Sequence, residues 1–224
     1  SVSRGLGDVY KRQVVIATGS IANFKKPYPL QPNIVQDNLK FHKFKPSLVG
    51  FTTNLNFKEI SGVRHKCRVG LYQNKKCIHF EQGEVIFKDR GISGICIMNL
   101  SSYYNHLKEA KNCEVVLDLS SQEYDDYTTI LSPKLLNYVK TNHIPIHSFS
   151  IPITGVYDFE NAQVCSGGIA IDEIENNLKL KKDHNIFTGG EVIDVDGVCG
   201  GYNLMFAFCC AMTIYEELKN EISN

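Results

Sequence analysis

The stretch VVIATGS at residues 14–20 sets four apolar residues in a row, Val14 to Ala17, and runs them straight into a glycine turn. A half-buried strand alternates apolar and polar residues, whereas an unbroken apolar run belongs to a strand covered on both faces, as in a parallel sheet. A second strand with the same kind of glycine exit, IFTGGEV, stands at 186–192, near the other end of the chain. Residues 47–118 between them follow a different pattern. LVGFTT, HKCRVGLYQ, KCIHFEQGEVIF and CEVVLDL are short runs rich in β-branched and aromatic residues, separated by Asn, Gly and Lys turns, as in an antiparallel sheet or barrel, with QNKK at 73–76 as a hairpin tip.

Helices are expected at Ile95 to Ala110, behind the Gly91–Gly94 turn, and at KLLNYVK, where Ser132 is an N-cap and Pro133 the first helical residue. A third starts near Gly201 and runs to about Leu218. Asn23 to Lys45 has no periodicity and reads as a connecting segment; HSFSIPITG reads as a return strand, and residues 163–172 as strand, turn and strand around Ser166-Gly167-Gly168. The order is that of a nucleotide-binding α/β domain interrupted by an inserted β domain. The boundaries are 14–46 for its first part, 47–150 for a β-barrel insert with a small helical piece, and 151–224 for its return.

Lys and Arg total 24 against 24 Asp and Glu, and no basic stripe alternates with aromatics, so nucleic acid is not an expected partner and a small-molecule substrate is. The longest apolar run, Leu204 to Tyr215, falls short of the ~20 residues a membrane span needs. Eight cysteines without a CxxC pair or ligand-like spacing read as reduced thiols, which points to the cytoplasm. The oligomeric state is open.

Ligands of open α/β sheets bind at the carboxyl ends of the strands, and glycine there lets the backbone approach closely. In GGEVIDVDGVCGGYN, residues 189–203, five glycines surround Glu191, Asp194 and Asp196 directly before a helix. A carboxylate in such a place suits ribose or ribitol hydroxyls, and the helix start offers unpaired amides and about +0.5 of a charge. A calcium loop and a solvated turn are the competing readings, and the calcium one lacks its later glutamate, so no metal is expected. The Gly167-Gly168 turn either sets backbone amides against a ring or is an ordinary hairpin turn. Cys165, Cys199, Cys209 and Cys210 read as packing thiols, and the seven scattered histidines as surface or packing residues.

Four blocks together resemble one family. ATGS at 17–20, GEVIFKDRGISGICIMNLSSY at 83–103, ITGVYDFENAQVCSGGIAIDEI at 153–174 and FTGGEVIDVDGVCGGYNLMFAF at 187–208 closely resemble the BaiN/RdsA-family NAD(P)/FAD-dependent oxidoreductases, also described as aminoacetone oxidase-family FAD-binding enzymes. The resemblance implies a Rossmann-like FAD-binding domain interrupted by a β-barrel insert, with FAD as cofactor and NAD(P)H as electron donor. It sets Ala17, Thr18 and Gly19 beside the cofactor, with Gly190, Glu191 and Asp196 at its ribitol or pyrophosphate side. Gly200, Gly201, Tyr202, Asn203 and Leu204 bring the helix amides to the flavin pyrimidine edge. Ser166, Gly167 and Gly168 pack near the isoalloxazine ring, and Gly91-Ile92-Ser93-Gly94 is the insert's turn facing the cleft. No side chain stands out as catalytic acid or base; Tyr202 is the one candidate named.

The chain departs from that family in having no GxGxxG unit before Val14. Ser3 to Gln13, SRGLGDVYKRQ, equals the translation of a transposase-type sequencing adapter, so residues 1–13 read as non-native. The expectation is a C-terminal portion of a flavin oxidoreductase whose first βαβ unit is missing and which is inactive by itself. The alternative is a non-catalytic β-barrel binding module with a degenerate nucleotide-binding domain.

Overall fold

A computed structural model of the chain describes residues 13–23, 39–120 and 130–223. The adapter-like stretch lies outside these except for Gln13, as does most of the Asn23–Lys45 connection. The chain divides into two compact units, residues 46–163, and residues 1–45 together with 164–224.

The unit of residues 46–163 is built on a long hairpin. Strands β4 (Arg64–Gln73) and β5 (Lys76–Lys88) pair antiparallel, and Asn74 and Lys75 between them both take positive φ, 50° and 65°. Two left-handed residues in a two-residue loop match the twist of the strands they join. Around the hairpin lie β3 (Phe51–Thr52), β6 (Gly91–Ser93), β7 (Cys113–Asp118), β8 (Phe149–Pro152) and β9 (Gly155–Val156), giving seven strands in the order β8-β7-β4-β5-β6-β3-β9. Every second residue of β4 and β7 is buried, among them Cys67, Val69, Leu71, Val115 and Leu117. That is the period of two that carries side chains to one face.

Helix α1 (Ile95–Asn105) lays Ile97 and Leu100 on this face. Its entry depends on Gly94, at φ +114°, where a Cβ would stand 2.1 Å from the carbonyl oxygen of Glu84 on β5. The helix ends at Asn105, whose side chain turns to the Pro46 carbonyl at 2.8 Å, rather than at Ala110; the polar run Lys108 to Asn112 offers no apolar face to extend it. Helix α2 (Pro133–Thr141) starts as its sequence indicates, Ser132 Oγ accepting from the Leu135 N–H at 3.4 Å. Tyr138 from this helix meets Phe57 edge to face, as do Phe87 and Phe149, which stack on each other. Strand β8, the expected return strand, pairs antiparallel with β7, so this unit continues to Gln163 whereas the sequence reading turns back to the first part at 151.

In the other unit, β1 (Val14–Ile16) lies parallel to β12 (Asp183–Thr188), and β11 (Lys179–Leu180) adds antiparallel on the far side of β12. Strand β10 (Val164–Ile169) pairs with β2 (Phe41–Ser47). Residues 164–169 are therefore one continuous buried strand, not the strand, turn and strand read from Ser166-Gly167-Gly168. The glycines serve close backbone packing, as described below. Helix α3 (Tyr202–Ser223) packs on the turn that follows β12, where Gly189 makes room; a Cβ there would meet Cys210 Cβ at 3.0 Å and Ile214 Cδ1 at 3.1 Å. Ile169, Leu180, Val192, Ile193 and Cys210 form the core of this unit. Among the described residues no helix is long and apolar enough to cross a membrane.

Phe57 has no exposed surface and touches three aromatic rings. Truncation to Phe57→Ala is expected to cost about 3–5 kcal/mol, read as a lowered denaturant midpoint with an unchanged slope. A loss under about 1 kcal/mol would show that the aromatic cluster does not hold this unit together.

Candidate functional site

The register Val14↔Ile186, Val15↔Phe187, Ile16↔Thr188 makes β1 and β12 end level with each other. The Gly189 N–H donates to the Ile16 carbonyl at 3.1 Å, and the two exits, Ala17-Thr18-Gly19 and Gly189-Gly190-Glu191, stand side by side. Gly19 and Gly190 both take left-handed φ, +70° and +75°. A groove of about 540 Å³ runs from these exits along α3, lined by Val15, Ala17, Gly19, Glu191, Ala207 and Ala211 among others. At Gly19, and at Gly201 with φ +89°, a Cβ would meet no described atom within 4 Å, so the backbone there is open to a ligand.

Glu191 follows directly. It is carried on the 3-10 turn Gly190–Val192, and its Oε1 accepts the Cys165 N–H at 3.1 Å. Burial pushes its carboxyl above the ordinary value; the bonds from Cys165 and from the Ser20 side chain oppose this, and Asp196 adds to it. Three residues on, Asp194 Oδ1 accepts the Gly167 N–H at 2.7 Å, while Oδ2 lies 2.6 Å from His42 Nδ1. Two carboxylates of one loop thus hold alternate amides of β10, and Asp194 N–H donates to the Ile169 carbonyl at 2.9 Å to complete the seam. Burial also raises the Cys165 thiol, against a bond from Ser20.

Ser166, Gly167 and Gly168 lie inside this seam. A Cβ on Gly167 would stand 2.6 Å from the Lys43 carbonyl oxygen, and one on Gly168 2.3 Å from that of Val192. Their glycine identity is thus required by packing of protein backbone on both sides, without a ligand. Ser166 Oγ and, on β12, Thr188 Oγ1 are buried hydroxyls with no partner among the described residues, the kind of polar atom that a bound group or water satisfies.

The loop before α3 is closed by Asn203, whose side chain accepts from the Gly197 N–H at 2.8 Å and donates to the Gly197 carbonyl at 3.1 Å. Gly200 and Gly201, at φ +131° and +89°, let the chain turn from that clasp into the helix, and the Met205 N–H is bonded to the Gly201 carbonyl. The first amides of a helix have no intrahelical acceptor. Tyr202 and Leu204 are exposed at this start.

The structure therefore brings Ala17, Thr18, Gly19, Gly190 and Glu191 together at the strand ends, with Asp196 near enough to Glu191 to act on its ionisation. It sets Gly200 to Leu204 at the start of α3 and Ser166 to Gly168 in the seam behind Glu191. Gly91–Ser93 is a strand of the other unit, and Gly94 precedes its helix α1. Sequence reasoning missed Ser20 and the pairing of His42 with Asp194. The alternation of Cys165 and Gly167 against Glu191 and Asp194 was a usable signal for the seam, but nothing in the sequence ties His42 to it. The open glycines, orphaned hydroxyls and free helix amides fit the flavin part of FAD; the chain has no GxGxxG unit to hold the pyrophosphate.

Residues 45–132 match a family described as HI0933-like protein barrel and H2TH domain. The chain is also similar to the 3-dehydro-bile acid delta(4,6)-reductase of Clostridium scindens (strain ATCC 35704 / DSM 5676 / VPI 13733 / 19), at 25% identity over 80% of this chain and 51% of that protein. It spans about half the length of this curated relative.

Two substitutions test this geometry. Gly168→Ala forces a Cβ onto the Val192 carbonyl and is expected to cost about 4 kcal/mol or more, whereas Gly19→Ala, strained but uncrowded, costs about 1–2 kcal/mol by thermal or chemical denaturation. Equal losses would refute the distinction. Glu191 binds its proton more tightly in the folded protein than in the unfolded one, so its contribution to stability is largest below the ordinary value of 4.5 and falls as pH rises through that value towards the raised folded one. Glu191→Gln keeps an acceptor for Cys165 and removes the titration. Relative to the native chain, the variant is expected to gain stability from pH 4 to pH 7, and a pH-independent difference would rule out the buried carboxyl as the cause.

Proposed function

We propose, from the BaiN-like FAD oxidoreductase kinship that the family match and the bacterial reductase support, that this chain is part of a flavin-dependent oxidoreductase. The observation that carries this reading is the parallel register of β1 and β12, which joins two glycine exits from opposite ends of the sequence at the start of one groove. In this reading the unit that contains them is a Rossmann-like FAD-binding domain, and residues 46–163 are its insert.

The chemistry that FAD supplies when bound is two-electron redox transfer, here between NAD(P)H and a small-molecule substrate. Ala17, Thr18, Gly19 and Gly190 offer backbone that a planar group can approach. Glu191 accepts from the Cys165 amide and from the Ser20 side chain, and its carboxylate has further lone pairs with which to accept from a ribitol hydroxyl. The start of α3, Gly200 to Leu204, presents amides and the positive end of the helix dipole, a setting that favours negative charge on a bound ring. The Ser166 hydroxyl gains the partner it lacks. Burial, with a smaller contribution from Asp196, raises the Glu191 carboxyl above its ordinary value.

A protein extended to the relative's full length is expected to be yellow, with flavin absorbance released on denaturation; a colourless protein that FAD does not reconstitute would sink the reading and favour the binding-module alternative. Residues 1–224 alone are expected to retain FAD weakly. In the extended protein, Asn203→Ala opens the clasp on Gly197 and is expected to weaken FAD binding about tenfold, the equivalent of ~1.4 kcal/mol, by fluorescence titration. Unchanged affinity would remove the α3 start from the site.

A further inference from the structure

The long hairpin of residues 46–163 turns one face away from the core of its unit. On β4, Cys67, Val69 and Leu71 point inward, so Arg68, Gly70 and Tyr72 point outward. Gly70 lies in register between Val116 of β7 and Phe80 of β5. The Tyr72 ring lies down over it, with Cε2 2.6 Å from where a Cβ at position 70 would stand. Glycine in the middle of a sheet face thus leaves a dent, walled by Tyr72, Val116 and Phe80, the last of them 74% exposed. The dent belongs to a cavity of about 710 Å³ that also takes in Arg68, Gln82, Asp118 and His147.

The polar end of this cavity is one row of the sheet. Asp118, Arg68 and Gln82 stand in register on three adjacent strands. Opposite charges directly across a strand pair attract each other, yet Asp118 turns elsewhere. Its Oδ1 accepts from the Ser120 N–H at 3.1 Å and the Ser120 hydroxyl at 2.6 Å, and lies 3.4 Å from His147 Nδ1. Against burial, which raises it, these contacts hold the Asp118 carboxyl below its ordinary value, so the group is an ionised acceptor. Among the described residues, Asp118 Oδ2, the Arg68 guanidinium and the Gln82 amide have no partner. Donors and an acceptor therefore stand side by side at the edge of an aromatic floor.

We propose that this cavity binds a purine nucleotide through a guanine-type base edge. The Asp118 carboxylate accepts from the ring N–H and the exocyclic amino group, Arg68 and Gln82 donate to the carbonyl oxygen and ring nitrogen, and the base stacks on Tyr72 and Phe80. A simple organic anion is a poorer match, because Asp118 keeps its negative charge beside Arg68. A nucleic-acid strand is a poorer match too, since 24 basic residues balance 24 acidic ones and no basic stripe leads to the cavity. The site lies wholly within residues 46–163 and uses neither glycine exit, so it stands apart from the oxidoreductase reading.

The test titrates the isotopically labelled chain with GMP and follows backbone amide shifts. Saturable binding is expected, with shifts centred on Gly70, Val116 and Asp118. Phe80→Ala and Arg68→Gln are each expected to weaken it at least about fivefold, and AMP, with the same phosphate but another base edge, to bind weaker by a similar factor. Both side chains are exposed, so the variants keep the fold. AMP or benzoate binding as tightly as GMP would show that the base edge is not read and overturn the proposal. Variants that bind like the native chain, shifts confined to Gly19, Gly190 and the start of α3, or no saturation in the millimolar range would overturn it as well.

Discussion

Three residues of β1 lying in register on β12 decide what the flanking unit can be. The pairing is short, yet it fixes where both glycine exits fall, and it does so between segments from the two ends of the chain. The Gly189 to Ile16 bond closes the pair beyond the last strand residue and keeps Gly19 and Gly190 at one level. A slip of one residue would turn Val15 and Ala17 away from α3 and dissolve the groove. Residues 46–163, which lie between these two segments in sequence, form a compact unit of their own.

The glycines divide into two kinds that look alike in sequence. Gly167 and Gly168 are hemmed in by the carbonyls of Lys43 and Val192, and Gly189 by Cys210 and Ile214. Gly19 and Gly201 face open space. The first kind answers to packing and the second to whatever approaches the backbone, so a glycine-rich signature here mixes two selective pressures. The acidic residues divide likewise. Asp194 has one oxygen on the Gly167 amide and the other on His42, whereas Glu191, bonded by the Cys165 amide and the Ser20 side chain, is buried deeply enough that its carboxyl is held above the ordinary value.

Much of the fold was legible because local chemistry and tertiary context agree. The hairpin tip at Asn74-Lys75, the Ser132-Pro133 start of α2 and the apolar runs of β4, β5 and β7 all formed where they were expected. Ser166-Gly167-Gly168 misled, since a pair of glycines suits a turn and also a strand squeezed between two others, and only the neighbours decide. Helix α1 stopped early because tertiary burial, absent beyond Asn105, sets its length more than propensity does. The strand ends of the candidate site could be read from glycine and carboxylate positions. Ser20 and His42 could not, because their partners lie far along the chain and no periodicity links them.

Helix α3 is fastened at both ends. Asn203 clasps Gly197 at its start, and near its far end Glu217 and Glu221 are bonded by Asn177 and Lys179, the latter also lying over the Phe187 ring at 5.3 Å. A beam held in this way can neither slide along its axis nor tilt freely. Its amide dipoles are thus oriented before anything arrives at its first turn, and a group that gains negative charge there meets a field that needs no rearrangement. Under the flavin reading proposed above, the protein side of the site contributes little reorganisation energy to electron transfer.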